Sequence, residues 1–255
     1  MPRLRWFVAA VVLACGAVHV WLRRTGRQRR VPWLLWLVVV AILAGGAFLT
    51  EARGNFERRR LEEMVEGFAP TYARELSLLG HSKIAPQTDP NDPRYLAMID
   101  AEIRWESVNP SISDIYTLRK LPDGRNAFIV DSETDYDRNG VYEGDREQRT
   151  AIGEVFDKRI PALERAFAGQ AGFVDEPYTD RWGTWVSAFV PMFDERGRID
   201  GVLGVDYDGA DWVRAVARGR LAVIGGLALV VIFLLSSTTV VALLRLDLAE
   251  RERAA

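Results

Sequence analysis

The sequence predicts an α+β fold: an antiparallel sheet with a long N-terminal helix and flanking helices packed on one side, carried by three transmembrane helices. Three observations predict it. Apolar residues pile up at both ends of the 255-residue chain, while most of the 27% that is charged lies between them. The middle carries two turn signals, Pro122-Asp123-Gly124 and Asp194-Glu195-Arg196-Gly197, each flanked by strand-like runs. Helix-spaced apolar residues precede the first of these hairpins and follow the second.

The apolar runs come first. They cover Trp6–Leu22, Pro32–Thr50 and Leu221–Leu244, and none contains a charged residue. Each has about the length that a helix needs to cross roughly 30 Å of hydrocarbon. The first run also reads as a cleaved signal peptide, with Arg3 and Arg5 before it and small residues at Ala14, Gly16 and Ala17. Its continuation through Val18, Val20, Trp21 and Leu22 to a pair of arginines favours an uncleaved helix. Arg23, Arg24, Arg27, Arg29 and Arg30 crowd the loop between the first two runs, which places that loop in the cytoplasm. The division expected is therefore two transmembrane helices and their cytoplasmic loop in 1–50, an outer domain in 51–220, a third span in 221–244, and the start of a cytoplasmic segment in 245–255. Arg3, Arg5 and Arg58–Arg60 run against this orientation, although long domains translocate largely regardless of charge.

Within 51–220, Phe56, Leu61, Met64, Val65, Phe68 and Tyr72 fall at helical spacing, and the second span is expected to run on into a stalk helix. Pro70 predicts a kink or break in it. A second helix is expected over 92–109, with Asp92 as N-cap, Pro93 in the first turn and Pro110 beyond its end. The runs DIYTLRK and NAFIVDS form the first hairpin. A polar loop and a short helix around KRIPALERAFAG follow, and then GTWVSAFVPMF and IDGVLGVDYD form the second hairpin. ADWVRAVARGR closes the domain as a helix that feeds the third span.

Composition excludes several chemistries. A net charge of −2 gives no basic footprint for nucleic acid. A single cysteine, Cys15, cannot form an intrachain disulfide, and two histidines in separate segments cannot build a multi-histidine metal centre within one chain. His19 lies near the inner end of the first run, where an interfacial place suits it as well as a functional one. No nucleophile elbow, histidine–carboxylate pair or zinc motif is present, so no enzyme activity is expected. A hydrolase with paired carboxylates is the rival that an aspartate-rich loop still permits.

Two stretches carry a family resemblance. Glu176-Pro177-Tyr178-Thr179-Asp180-Arg181-Trp182-Gly183-Thr184-Trp185-Val186-Ser187-Ala188 is one, and the run from Pro191 through Asp194, Gly197 and Gly201 to Asp206 is the other. Together with a membrane helix at each end, they resemble the PAS-like single-Cache extracytoplasmic sensor domains of bacterial transmembrane receptors. The resemblance covers residues 51–220. It implies a small-molecule pocket between sheet and loops, a homodimer, and a cytoplasmic effector of kinase, cyclase or chemoreceptor type, fused or separate. It also implies the bacterial inner membrane, with the sensor domain periplasmic or extracellular. The alternative is a membrane-anchored interaction module whose outer domain docks a partner protein.

Candidate ligand-binding residues follow from strand alternation. Trp185, Ser187 and Phe189 share one face of their strand, and Val202, Gly204 and Asp206 share one face of the next. The Asp206 carboxylate beside the small Gly204 would grip an amine. Tyr178 and Asp180, expected in the loop before the strand, complete a polar clamp with an aromatic wall of Trp182 or Trp185. Separately, Asp135-Tyr136-Asp137-Arg138-Asn139-Gly140 matches the first half of a calcium loop, with side-chain oxygens at alternate positions and glycine at the sharp turn. Asp135, Asp137, Asn139, the Val141 carbonyl and Glu143 are the candidate ligands, and calcium is the one cofactor to which the sequence points. The second half departs from the pattern, because Arg146 stands at position twelve. An acidic solvated loop shaped by Asx-turns is the plainer alternative.

Overall fold

The computed structural model describes residues 13, 16, 17, 20, 33–137 and 139–254. The rest of the first apolar run, the arginine loop and His19 lie outside the described residues. In chain order the elements are α1 (Trp33–Leu78), a 3₁₀ turn (His81–Lys83), α2 (Pro93–Val108), β1 (Asp114–Lys120), β2 (Asn126–Asp131), α3 (Gly144–Glu147), β3 (Val155–Phe156), α4 (Pro161–Phe167), β4 (Gly172–Thr179), β5 (Thr184–Phe193), β6 (Ile199–Asp208) and α5 (Gly209–Ala254). Two compact units divide the chain: residues 1–57 with 215–255, and residues 58–214.

In the first unit, segments of α1 and α5 meet. Among the described residues, two stretches are long and apolar enough to cross a membrane, Leu37–Arg60 and Gly209–Leu234, with 11% and 6% of their apolar windows buried. Small residues mark the closest approaches. A Cβ on Gly46 would sit 2.4 Å from the Leu227 side chain, and one on Gly219 would sit 2.8 Å from Glu57. Gly225 and Gly226 have open surroundings within the chain.

The second unit is built on a six-stranded antiparallel sheet in the order β3-β2-β1-β6-β5-β4. The two predicted hairpins match β1–β2 and β5–β6, and β1 pairs with β6 to join them. Gly124 and Gly197 take the positive φ that their turns require. Residues directly opposite one another share a face. The pairs Asp114–Asp206, Tyr116–Gly204, Leu118–Val202, Ser187–Asp206 and Phe189–Gly204 therefore line one side of the sheet.

The expectation that helices cover one side is corrected. On the side of Tyr116 and Phe189, α4 buries Ala162, Leu163 and Ala166 against Leu118, Phe128, Phe156 and Val202. On the other side lie α2 and residues 58–78 of α1, whose buried positions include Tyr72, Leu76, Tyr95, Met98 and Ile99. A sheet covered twice shows continuous apolar strands instead of alternation, and all six residues of β2 are buried.

Two more expectations change. Pro70 does not end α1, which runs on to Leu78. Ala69, Tyr72, Ala73 and Leu76 around it are buried, and that packing outweighs a local penalty of about 3 kcal/mol. Tyr178 stands on β4, not in a loop. Gly172 and Pro177 interrupt the strand pattern, and an edge strand tolerates the missing donor of proline.

Past the end of α1, His81 is fully buried. Its Nδ1 lies 2.5 Å from Asp200 Oδ2, and its Nε2 lies 2.8 Å from Thr117 Oγ1. Arg119 donates to the His81 and Ile84 carbonyls and pairs with Asp200 at 2.9 Å. This network fixes the 3₁₀ turn to β1 and β6.

Candidate functional site

The six ligand-binding residues read from sequence meet at one place. Asp180, Trp182, Trp185 and Asp206 line a cavity together with Asp114, Tyr116, Phe128 and Phe156. Ser187 and Tyr178 stand behind Asp206: Ser187 Oγ donates to Asp206 Oδ1 at 2.5 Å and lies 2.7 Å from Tyr178 Oη. Tyr116 Oη donates to the same carboxylate oxygen at 3.3 Å. Gly204 makes this possible, because a Cβ there would lie 2.4 Å from the Tyr116 ring.

Sequence reasoning missed Asp114, Tyr116, Phe128 and Phe156. Asp114 opens β1 and lies across from Asp206. It accepts hydrogen bonds from Thr134 Oγ1 at 3.1 Å and Tyr136 Oη at 2.8 Å. The available signal was the alternation Asp114, Tyr116, Leu118 in a strand already identified.

Asp180 has a second occupation. Its Oδ1 accepts from the Trp182 and Gly183 amides at 2.9 and 3.0 Å and from Trp185 Nε1 at 2.9 Å. It therefore shapes the turn that holds Trp182 over the cavity. Arg146 donates to the Trp182 carbonyl, the Arg181 guanidinium lies 4.0 Å from the Trp182 ring centre, and Phe128 meets that ring edge-on at 5.3 Å. The space enclosed is about 10 Å³, room for about one water molecule.

The electrostatics are one-sided. Burial pushes the Asp206 carboxyl well above the usual carboxylate range, and the nearby Asp114 adds to the rise against the Ser187 hydrogen bond. Burial likewise raises Asp114, opposed by Tyr136 and Thr134. Hydroxyls of Tyr116, Ser187, Thr134 and Tyr136 donate to these two carboxylates, and among the described residues the cavity lining contains no lysine or arginine.

The 135–147 loop forms a second cluster. Asp135 accepts from the Asn139 and Gly140 amides at 3.0 and 2.8 Å, and Asp137 accepts from the Asn139 side chain at 3.0 Å. Asn139 Oδ1 accepts from the Val141 amide at 2.7 Å. Glu147 accepts from the amides of Tyr136, Asp137 and Glu143. Carboxylate oxygens of Asp135, Asp137 and Glu147 lie within 4.8 Å of one another, whereas Glu143 joins the loop through its amide. Glu147 was missed because it falls one residue beyond position twelve of the calcium pattern.

No family model matches the chain, and no curated protein matches it. Solved structures do. The sensory domain of the Campylobacter jejuni chemoreceptor Tlp3 with isoleucine bound aligns at 13% identity and a TM-score of 0.39, over 68% of this chain and 63% of that one. The sensor domain of the V. cholerae histidine kinase DctB aligns at 17% identity and 0.43, over 68% of this chain and 59% of that one. The E. coli DcuS sensor domain aligns at 14% identity and 0.40, over 64% of this chain and 98% of that one. The chain thus spans less than two thirds of the length of the Tlp3 and DctB domains.

Proposed function

We propose that residues 58–214 form the input domain of a membrane receptor that binds a small cationic solute, with an amine as the group recognised. One observation carries this reading: Asp114, Asp180 and Asp206 converge with Tyr116, Phe128, Trp182 and Trp185 on a single cavity that holds no counter-charge. Carboxylates and aromatic faces both attract an ammonium group, and desolvation strengthens both attractions. A bound amine would supply the charge that Asp114 and Asp206 lack. Because the enclosed space fits about one water, entry requires Trp182 and its turn to move outward. That motion is the proposed switch, and a ligand drives it only through different affinities for the closed and open states.

Placement of the domain outside the bacterial inner membrane, a homodimer, and output through α1 and α5 to a cytoplasmic effector belong to the same proposal. Calcium binding at the 135–147 loop is a separate one, supported by Asp135, Asp137 and Glu147. A calcium titration of the full chain should raise its thermal midpoint, and no shift up to millimolar calcium contradicts that assignment.

The test of the main reading is thermal unfolding of the full chain in detergent. It compares primary amines and amino acids with neutral isosteres of the same size. At about 100 times its dissociation constant, a true ligand adds about 2.7 kcal/mol. A midpoint raised by an amine and not by its neutral isostere supports the proposal. The filled cavity favours a second reading, in which the domain docks a partner protein; a folded chain that no solute shifts would make that reading the better one.

A further inference from the structure

The clamp past the end of α1 holds a titratable group that the cavity does not use. Gly80 closes the helix with a positive φ of 92°, and the next residue, His81, is fully buried. Beneath it run β1 and β6, the strands that carry Asp114, Tyr116 and Asp206 into the cavity. Thr117 and Arg119 alternate with Tyr116 and Leu118 along β1, so they serve His81 and not the cavity. A Cβ on Gly201 of β6 would stand 3.2 Å from His81 Cε1, so the ring lies directly against that strand.

The hydrogen bonds define where the protons are. His81 Nδ1 and Asp200 Oδ2 are 2.5 Å apart, a contact that needs one proton between them. Asp200 pairs with Arg119 at 2.9 Å, which favours the carboxylate, so the proton belongs to Nδ1. Nε2 of the neutral ring is then an acceptor. It accepts from the Thr117 hydroxyl at 2.8 Å, while Thr117 Oγ1 accepts from the Val130 amide at 2.9 Å. Both ring nitrogens are satisfied without a net charge on the ring.

A second ring proton breaks this pattern. It would point from Nε2 at the Thr117 hydroxyl, whose own hydrogen must then turn to the Val130 carbonyl at 3.5 Å, the long limit of a hydrogen bond. The imidazolium would also face the Arg119 guanidinium, which lies 3.2 Å from Nδ1, and the two cations would share the Asp200 carboxylate. Lys83 of the 3₁₀ turn and Glu195 of the β5–β6 turn stand outside, exposed and 3.5 Å from each other. A buried cation without an anion of its own is strongly unfavourable.

We propose that His81 is a proton-sensitive latch: the neutral ring ties the end of α1 to β1 and β6, and a second proton loosens it. Acid then weakens the hold of α1 on the two strands that carry the cavity carboxylates. The inference needs no solute and stands whether or not an amine binds.

The direction of the effect is fixed. Burial first lowers the His81 ring below its ordinary value of 6.5, against the pull of Asp200 and with a smaller push from Arg119. The unfolded chain therefore takes up the proton before the folded one. The stabilisation is present above about pH 6.5 and is lost as pH falls toward the folded value.

The experiment follows denaturant unfolding of the full chain in detergent between about pH 5 and about pH 7.5. It compares wild type with His81→Asn, whose amide can still donate to Asp200. The difference between the profiles is read, because Asp114, raised to about 6 mainly by burial, titrates in both. Wild type should lose its advantage below about pH 6.5, by up to about tenfold in the folding equilibrium per pH unit. Parallel profiles overturn the proposal. Ring-nitrogen NMR of the full chain carrying His19→Gln, which leaves His81 as its one histidine, tests the latch without altering it. It should show Nδ1 protonated and Nε2 bare at about pH 7.5, and a midpoint below 6.5. The Lys83 and Ile84 amides, bonded to the Gly80 and His81 carbonyls, should exchange faster through the same step. A midpoint at or above 6.5, or amide exchange that ignores the step, also overturns the proposal.

Discussion

Single residues decide whether this cavity exists. Gly204 leaves room for the Tyr116 ring, and Gly204→Ala should cost about 1–3 kcal/mol through overpacking and lower the thermal midpoint. Asp180 and Asp206 look interchangeable in sequence, yet their surroundings separate them. Asp180 satisfies two backbone amides and an indole N–H, so Asp180→Ala strands those donors and should destabilise the Trp182 turn by about 1–3 kcal/mol, measured by chemical denaturation. Asp206 accepts from hydroxyls alone, and Asp206→Asn should keep the fold while removing the response to amines. The grouping of Tyr178, Asp180, Trp182, Trp185, Ser187 and Asp206 was legible because they are close in sequence or alternate along adjacent strands. Asp114 was not, because its pairing with Asp206 is set by the β1–β6 register across the whole domain.

At the scale of elements, strands bounded by strong turns were legible. DIYTLRK and IDGVLGVDYD are β1 and β6, because apolar β-formers stop at clear breakers. Asp92 caps α2 as expected, accepting from the Arg94 amide at 2.8 Å. Elements whose stability comes from neighbours were illegible: β3 is a two-residue pairing, β4 contains Pro177, and α1 continues through Pro70. The clamp past the end of α1 is of the same kind. Arg119 joins the His81 and Ile84 carbonyls to Asp200, all brought together by folding. Arg119→Ala leaves Asp200 and His81 without that cation, and a loss of about 3 kcal/mol is expected in thermal or denaturant unfolding.

For the molecule as a whole, buried acidic groups gather in residues 58–214, while the sequence clusters five arginines at 23–30. Buried carboxyls occur on both sides of the sheet, at Asp114 and Asp206 in the cavity and at Glu102 under α2. An amine bound in the cavity, as proposed, would relieve the buried negative charge there and favour the outward position of the Trp182 turn.

In the proposed reading a cation enters between Asp114 and Asp206. Isothermal titration of the full chain in detergent tests it most directly, using the amine that gives the largest thermal shift, on wild type and on Asp206→Asn. The account predicts saturable binding to wild type and a loss of at least about tenfold in affinity in the variant, since each tenfold is about 1.4 kcal/mol and one charge-assisted contact exceeds that. Equal affinity for both proteins would contradict it.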